Sequence, residues 1–120
     1  MQYRILGNTG LRVSEIGLGS EVLVGQSEAE AMKLIEAALA AGVNYFDLYN
    51  SEPEARSNLG AAMRGRREKF IIQGHLCSAW IDGQYKRTRD MALVRSAYQD
   101  LFDRLETDYV DIGMIHFVDE

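Results

Sequence analysis

The sequence predicts an α/β protein that forms the first half of a (β/α)₈ TIM barrel. Apolar runs alternate with amphipathic helical stretches, and a short hairpin precedes the first of them. Strands separated by helices run parallel and need cover on both faces, and eight such units of roughly 250 residues close a barrel. Four strands fit in this chain, so residues 1–120 are predicted to be a single, truncated half-barrel domain. A complete three-layer sandwich has the right length but no place for the leading hairpin.

The opening of the chain predicts a hairpin followed by a short strand. Residues 3–6 and 11–13 are extended runs on either side of a Gly/Asn turn, which is the pattern of two antiparallel strands. Residues 16–19 are then predicted to be a buried strand whose glycines allow close approach of another backbone. The alternation of strands and helices begins with this strand.

A helix and a second strand come next. Ser27 and Glu30 have capping-box spacing, in which each side chain satisfies a backbone donor that the helix leaves without a partner. Gly42 ends the helix, because glycine adopts a positive φ without strain. The strand over residues 43–47 follows at once and ends in Asp47. The predicted buried face of the helix consists of Ala31, Leu34, Ile35 and Ala38.

The next unit begins at Pro53, which suits the first turn of a helix. Gly65 stops this helix, and residues 70–72 are a β-branched and aromatic run that predicts a third buried strand. Residues 74–88 are predicted to be a long connection, and loops of this length in compact domains carry function or are disordered. The buried stripe of the helix is predicted to be Ala55, Leu59, Ala62 and Met63.

The last unit has the clearest helical periodicity of the chain. Arg89 or Asp90 opens the helix, and residues 109–116 form a fourth strand that ends at His116. Alternation along this strand places Val110, Ile112, Met114 and His116 on one face. The stripe of the helix consists of Val94, Ala97, Tyr98, Leu101 and Leu105.

Composition argues against several classes of protein. The chain is 47% hydrophobic and 26% charged with a net charge of −5, which fits a soluble globular domain without a basic face for nucleic acid. No stretch approaches the roughly 20 apolar residues of a membrane span, and the N-terminus lacks the apolar block of a signal peptide. One cysteine, Cys77, excludes an internal disulfide. We therefore predict a cytoplasmic protein with no membrane or nucleic-acid partner.

Asp47 is the first residue that the predicted fold marks as functional. Residues at the carboxyl ends of barrel strands face the mouth where TIM barrels carry out their chemistry, and Asp47 occupies such a position. The alternative is that Asp47 only caps the following loop, since such loops favour Asp. Both interpretations remain open from the residues alone.

Three stretches resemble the N-terminal half of the aldo/keto reductases. Residues 3–14 (YRILGNTGLRVS) are similar to the start of that family, where a hairpin plugs the bottom of the barrel. Residues 41–47 (AGVNYFD) resemble its signature at the second strand. Residues 107–112 (TDYVDI), followed by His116, resemble its fourth strand. The resemblance covers essentially the whole chain and implies an oxidoreductase that reduces a small-molecule carbonyl, or a related redox substrate, with NADP(H).

The resemblance also implies site residues. The family uses an Asp, a Tyr acid, a Lys that lowers the pKa of that Tyr, and a His that helps orient the substrate oxygen. By position, Asp47 is the Asp and His116 is the His, whereas Glu52 replaces the Tyr and His75 replaces the Lys. Tyr49 or Tyr85 is the candidate for the missing phenol. The predicted catalytic residues are therefore Asp47, Glu52, His75, Tyr85 and His116.

For the cofactor, the resemblance implies contacts from Gly19, Ser20 and Asp47. Most family contacts to the phosphates and adenine of NADP(H) come from the second half of the barrel, and this chain has no glycine-rich phosphate loop to replace them. The chain alone is therefore expected to bind NADPH weakly or not at all, and to lack activity.

Residues 50–60 and 82–90 narrow the resemblance to a subgroup that often carries a ferredoxin-like 4Fe–4S domain after the barrel. That domain would lie beyond Glu120. Cys77 alone cannot hold a cluster, which generally takes four thiolates. Electrons would then come either from NADPH or from the iron–sulfur domain.

Two other functions remain open. The side chains of Asp47, Glu52, His75 and His116 form a ligand set that suits Zn²⁺ or Fe²⁺, although their spacing in the sequence is not diagnostic. Alternatively, the chain is a truncated, non-catalytic binding or assembly module. In either case an open half barrel exposes apolar surface and strand edges, so the isolated chain is expected to self-associate or to be marginally stable.

Overall fold

A computed structural model describes residues 1–115. The chain opens with an antiparallel hairpin and continues as a parallel sheet joined by helices, with a second hairpin before the last helix. In chain order the elements are β1 (Tyr3–Ile5), β2 (Arg12–Ser14), β3 (Leu18–Gly19), α1 (Glu28–Ala40), β4 (Tyr45–Leu48), α2 (Pro53–Met63), β5 (Ile71–Leu76), β6 (Ser78–Ile81), β7 (Gln84–Arg87), α3 (Met91–Leu105) and β8 (Ile112–Ile115). Short 3-10 turns lie at Ser20–Leu23 and Arg67–Lys69.

The parallel sheet has the strand order β3-β4-β5-β8. Each strand pairs in parallel with the next one along the chain that belongs to this sheet. A helix covers each crossover, as in one side of a (β/α)₈ barrel, and this confirms the predicted fold class. In the part of the chain that the structure describes, β3 and β8 are the outer strands of the sheet.

The hydrophobic core lies between the sheet and the three helices. Alternation along β4 turns Phe46 and Leu48 toward the helices, where both are buried. Burying side chains of this size stabilises the folded state by about 1.5–3 kcal/mol each. Tyr45 and Asp47 consequently lie on the opposite face of the sheet, which is the inner face of a barrel. The buried residues that the helices contribute are Ala31, Ile35, Ala55, Leu59, Ala62, Met63, Leu101 and Leu105.

The ends of the helices confirm the predicted caps. Ser27 and Glu30 form the capping box of α1, and Gly42 after this helix has a φ of +88°. The side chain of Asp90 caps α3 by accepting hydrogen bonds from two backbone N–H groups. Leu34 is a correction, because it is 41% exposed and lies beside the buried stripe of α1.

The largest correction concerns residues 74–88, which the sequence predicts as a long connection. Instead, β5 continues to Leu76, and β6 and β7 pair as a hairpin. The turn residues Asp82 and Gly83 have φ values of +53° and +73°. Positive φ at both positions is what a type I′ turn requires, and Asp-Gly is a favoured pair for it. The Asp-Gly pair was therefore the hairpin signal in this stretch.

Two predicted strands are shorter in the structure. Ile16 is 65% exposed and lies in a local turn, since its carbonyl accepts a hydrogen bond from the Ser14 hydroxyl at 2.7 Å. The last strand begins at Ile112 instead of residue 109. Before it, the Asp111 carboxylate accepts the Ile72 N–H at 2.8 Å and replaces part of the backbone ladder. His116, the predicted end of this strand, lies outside the described residues.

The helices are short and amphipathic. Over residues 1–115, α1, α2 and α3 have 13, 11 and 15 residues. None of them has the length and apolar character that crossing a bilayer requires.

Candidate active site

A polar row runs along the inner face of β4 and β5. The register pairs Tyr45 with Ile71 and Asp47 with Gln73, and alternation adds His75 two residues further along β5. Asp47 and His75 each lie one residue before the end of their strand. Both therefore lie at the carboxyl edge of the parallel sheet, where barrel enzymes carry their sites.

Asp47 and His75 are in direct contact. His75 Nε2 lies 2.7 Å from Asp47 Oδ1, and the imidazole is 5% exposed while the carboxylate is 32% exposed. An ionised carboxylate only accepts hydrogen bonds, so Nε2 carries a hydrogen atom and donates a hydrogen bond to Asp47. This contact fixes the tautomer of the ring and makes Nδ1 the nitrogen that gains or releases a second proton.

Gln73 and Tyr45 extend this contact into a four-residue network. Gln73 Nε2 donates to Asp47 Oδ1 at 2.9 Å, and the Tyr45 hydroxyl donates to Gln73 Oε1 at 2.6 Å. Burial, and secondly the charge of Asp47, raise the pKa of Tyr45, so its phenol stays protonated. Sequence analysis missed both residues, although alternation along the two strands puts them on the face that carries Asp47 and His75.

Two tyrosines extend from His75 toward the second hairpin. The Tyr49 ring meets His75 edge-on with 5.7 Å between ring centroids, and Tyr85 on β7 packs against Tyr49 at 5.3 Å. Burial, followed by a hydrogen bond with Tyr49, raises the pKa of Tyr85 to about 12. A phenol with a raised pKa is a weaker acid near neutral pH, which is opposite to the tuning that a tyrosine acid needs. A catalytic role for Tyr85 stays a prediction.

Glu52 caps the start of helix α2. Its carboxylate accepts the backbone N–H groups of Glu54 at 3.1 Å and Ala55 at 2.6 Å, which makes it the N-cap of α2. Both oxygens are engaged at the helix end, so a catalytic role for Glu52 stays a prediction. His116, the remaining predicted catalytic residue, lies beyond residue 115.

The predicted cofactor residues lie beside Asp47. Gly19 is the register partner of Asp47, and Ser20 follows it in a buried position. Within residues 1–115, Ser20 Oγ has no hydrogen-bond partner, and the same is true of Asn50 Nδ2 and Ser51 Oγ after β4. A buried polar atom without a partner costs about 1–3 kcal/mol. Such atoms fit the polar groups of a ligand at this edge of the sheet, including the amide and hydroxyl groups of NADP(H).

The predicted metal site has less support. Within residues 1–115, no three side chains of the His, Cys, Asp and Glu types come together as metal ligands would. Asp47 and His75 meet, but the Glu52 carboxylate is bound to the start of α2. Because His116 lies outside the described residues, the metal alternative stays a prediction.

Comparison with known proteins gives the family. The model of the aldo/keto reductase family matches residues 15–120. The chain belongs to this family. Among curated proteins, the uncharacterized oxidoreductase YqkF of Bacillus subtilis is 31% identical over 97% of the chain and 39% of its own length. This aldo/keto reductase chain therefore spans about two-fifths of that relative.

Solved aldo/keto reductases share the fold. The holo form of AKR11C1 from Bacillus halodurans superposes with a TM-score of 0.80 and 30% identity over 96% of this chain and 40% of its own. A putative aldo-keto reductase from Pseudomonas aeruginosa gives a TM-score of 0.80 and 30% identity over 94% of this chain and 45% of its own. These matches confirm the resemblance and the barrel-type fold.

The composition of this site differs from the one that the family resemblance implies. The resemblance puts a Lys at the position of His75 and a Tyr at the position of Glu52. In the structure, the imidazole of His75 hydrogen-bonds Asp47. Of the predicted catalytic side chains within residues 1–115, Asp47 and His75 are the two that contact each other.

Proposed function

We propose that this chain carries the residues that transfer the proton in an NADP(H)-dependent carbonyl reductase. In this proposal, His75 has the role of the family's tyrosine acid. The 2.7 Å contact between His75 and Asp47 is the observation that supports this proposal. Imidazole is the side chain whose ordinary titration lies closest to neutral pH. A group of this kind, held by a carboxylate at the carboxyl edge of the sheet, is suited to general acid–base catalysis.

Reduction of a carbonyl needs a hydride at carbon and a proton at oxygen. Bound NADPH would supply the hydride. The imidazolium form of His75 holds the transferable proton on Nδ1 while its Nε2–H stays bonded to Asp47. Proton transfer to the substrate oxygen leaves a neutral imidazole and an alcohol, and Asp47 keeps the ring oriented throughout. In the oxidative direction, neutral His75 takes the proton back from the alcohol.

The proposed ligands are NADP(H) and a small-molecule carbonyl. Ser20 Oγ, which has no partner among the described residues, would bind a polar group of the cofactor, with Gly19 allowing close approach. Tyr49 and Tyr85 would form an aromatic wall near the substrate. We expect weak NADPH binding by these 120 residues alone. A fluorescence titration that gave micromolar affinity would contradict this expectation.

The test of the proposed chemistry is a carbonyl-reductase assay on the protein at its native length. NADPH oxidation is followed with a panel of aldehydes and ketones. His75→Phe is expected to lower kcat by about 10²–10⁴, which is the usual contribution of a general acid, and to change KM much less. Glu54→Gln, a neutralised carboxylate in the first turn of α2, is the control. An unchanged kcat in His75→Phe would overturn the proposal.

A pair of substitutions sharpens this test. His75→Lys alone removes the imidazole and is expected to be as impaired as His75→Phe. Adding Glu52→Tyr restores the phenol and ammonium pair that the family uses, so the double variant is expected to recover activity. A double variant as inactive as His75→Lys would argue against a family-type geometry at this site, once circular dichroism has shown that it is folded.

The remaining expectations have less specific support. A cytoplasmic setting and the absence of nucleic-acid partners rest on the single cysteine and the net charge of −5. An iron–sulfur domain as the electron source rests on the subgroup resemblance. Iron and sulfide analysis of the native-length protein tests it, and their absence would leave NADPH as the proposed donor.

A further inference from the structure

Gln73 lies at the centre of the polar network on the inner face of the sheet. Its amide nitrogen is 2.9 Å from Asp47 Oδ1, 3.2 Å from His75 Nε2 and 3.3 Å from Met114 Sδ. Its amide oxygen accepts the Tyr45 hydroxyl at 2.6 Å. Gln73 therefore links Tyr45, the first residue of β4, to the Asp47–His75 pair.

These contacts favour one orientation of the amide. If the amide oxygen faced Asp47, two electron-rich oxygens would lie 2.9 Å apart with no proton between them. With the nitrogen facing Asp47, the amide donates to the carboxylate and its oxygen is left for the Tyr45 hydroxyl. Because the raised pKa of Tyr45 keeps its phenol protonated, this donor is present throughout the neutral pH range.

In this orientation, Gln73 also fixes the Asp47 oxygen atom to which His75 donates its hydrogen bond. Asp47 Oδ1 accepts from both Gln73 Nε2 and His75 Nε2. The amide N–H of Gln73 holds this oxygen in place, so rotation of the carboxylate away from His75 would break two hydrogen bonds. The 3.2 Å approach of Gln73 Nε2 to His75 Nε2 then follows from two donors that converge on one acceptor.

We propose that Gln73, oriented by the Tyr45 hydroxyl, is a positioning residue that holds Asp47 Oδ1 against the Nε2–H of His75. The proposal rests on the proposed role of His75 in proton transfer. Gln73 acts through Asp47 and needs no contact with the substrate.

The test measures the Nε2 proton of His75 by NMR on the ¹⁵N-labelled protein at its native length. The resonance that disappears in His75→Phe is assigned to His75. Gln73→Met keeps the length of the side chain but removes its donor and acceptor. It is expected to speed exchange of the Nε2 proton with water by about tenfold, in the range for loss of one hydrogen bond to a charged group. Tyr45→Phe, which removes only the hydroxyl, is expected to cause a smaller increase.

Tyr98→Phe is the matched control, because it also removes one phenol hydroxyl. Tyr98 lies on α3, near Gly74 on the helix side of β5, and burial raises its pKa as it does for Tyr45. Faster exchange in Gln73→Met and Tyr45→Phe, with no change in Tyr98→Phe, supports the proposal. Unchanged exchange in a folded Gln73→Met, or equal acceleration in all three variants, overturns it.

If Gln73→Met does not fold, Tyr45→Phe tests the proposal. Faster exchange of the His75 Nε2 proton in Tyr45→Phe than in Tyr98→Phe supports it, and equal exchange in the two variants overturns it. The readout needs no turnover, so the two proposals fail separately. A protein without carbonyl-reductase activity whose Nε2 proton responds as expected would lose the proposed function and keep the positioning role of Gln73. An active protein without that response would lose the positioning role alone.

Discussion

The identity of residue 75 determines what the carboxylate of Asp47 can do. A lysine there would be a compact point charge, whereas the imidazole of His75 has two ring nitrogens that can each donate or accept a proton. The side chain of Asp47 is 28 positions away in sequence, and the parallel register of β4 and β5 brings the two together. Under the proposed function, His75 thus stands where the resemblance implies a cation that tunes a neighbour, and it would transfer the proton itself.

Tyr85→Phe tests the environment of the tyrosine on the second hairpin. Burial and the bond to Tyr49 raise the pKa of Tyr85 from 10.0 to about 12 in the folded state. The contribution of protonated Tyr85 to the free energy of unfolding is therefore fully present below pH 10 and is lost as the pH rises toward about 12. We expect the wild type to lose more stability than Tyr85→Phe between pH 10 and 12, measured by urea unfolding. The same pH dependence in both proteins would contradict the raised pKa.

Some site residues could be predicted from sequence and others could not. The position of Asp47 could be predicted, because a carboxylate after an apolar run marks the end of a barrel strand. For Gln73 and Tyr45, alternation indicates the face on which they lie, but their hydrogen bonds depend on a register that only the folded sheet defines. Glu52 aligned with a catalytic position, but its place just before Pro53 also suits a helix cap, and the structure shows that cap.

Among the elements, α2 and α3 pack unusually closely. A Cβ on Gly60 of α2 would lie 2.1 Å from the carbonyl oxygen of Arg104 on α3. The buried Arg56 of α2 donates to the Ala97 carbonyl at 3.0 Å and to the Asp100 carboxylate at 2.9 Å, both on α3. Because the clash would be with backbone, the helices would have to move apart to admit a methyl group.

Gly60→Ala is therefore expected to be strongly destabilising. Overpacking of this kind costs about 1–3 kcal/mol and occasionally more. Gly65→Ala is the control, since Gly65 has a φ of +70° and no atom within 4 Å of its hypothetical Cβ. It should cost only the backbone strain, about 1–2 kcal/mol. Urea unfolding measures both variants, and a Gly60→Ala variant as stable as the wild type would refute the close packing.

The elements themselves could be predicted where local chemistry was explicit. The capping box of α1 was clear, because its two side chains satisfy backbone donors, whereas the sequence left the start of α3 between Arg89 and Asp90 and the structure shows Asp90 as the cap. The extension of β5 past Ile72 could not be predicted, because Gln73 and His75 interrupt the apolar run. Both side chains belong to the polar network on the inner face, so the residues proposed to act at the site are the ones that hide the strand pattern.

On the scale of the whole molecule, the sheet is open at both sides among the described residues. The outer strands are β3 and β8, and the chain spans about two-fifths of the length of its relative YqkF. The apolar side chains exposed on or next to these strands include Ile16, Val22, Val24, Met114 and Ile115. Exposed strand edges with apolar side chains favour association.

We expect the isolated 120-residue chain to self-associate through these edges. Ile115→Lys places a charge on β8 and is expected to shift sedimentation toward the monomer, as charged residues do on natural edge strands. Leu34→Lys makes the same kind of change on α1, outside the sheet, and should leave association unchanged. A wild-type chain that sediments as a compact monomer with cooperative unfolding would contradict the expectation.

The paired action of Asp47 and His75 is tested most directly by a double-mutant cycle on kcat in the native-length protein. Asp47→Asn, His75→Phe and the double variant are compared with the wild type. If the two side chains work as one unit, the double variant will be no slower than the slower single variant, as residues that act together are strongly non-additive. Losses that multiply in the double variant would show that the two side chains act independently and would contradict the pairing.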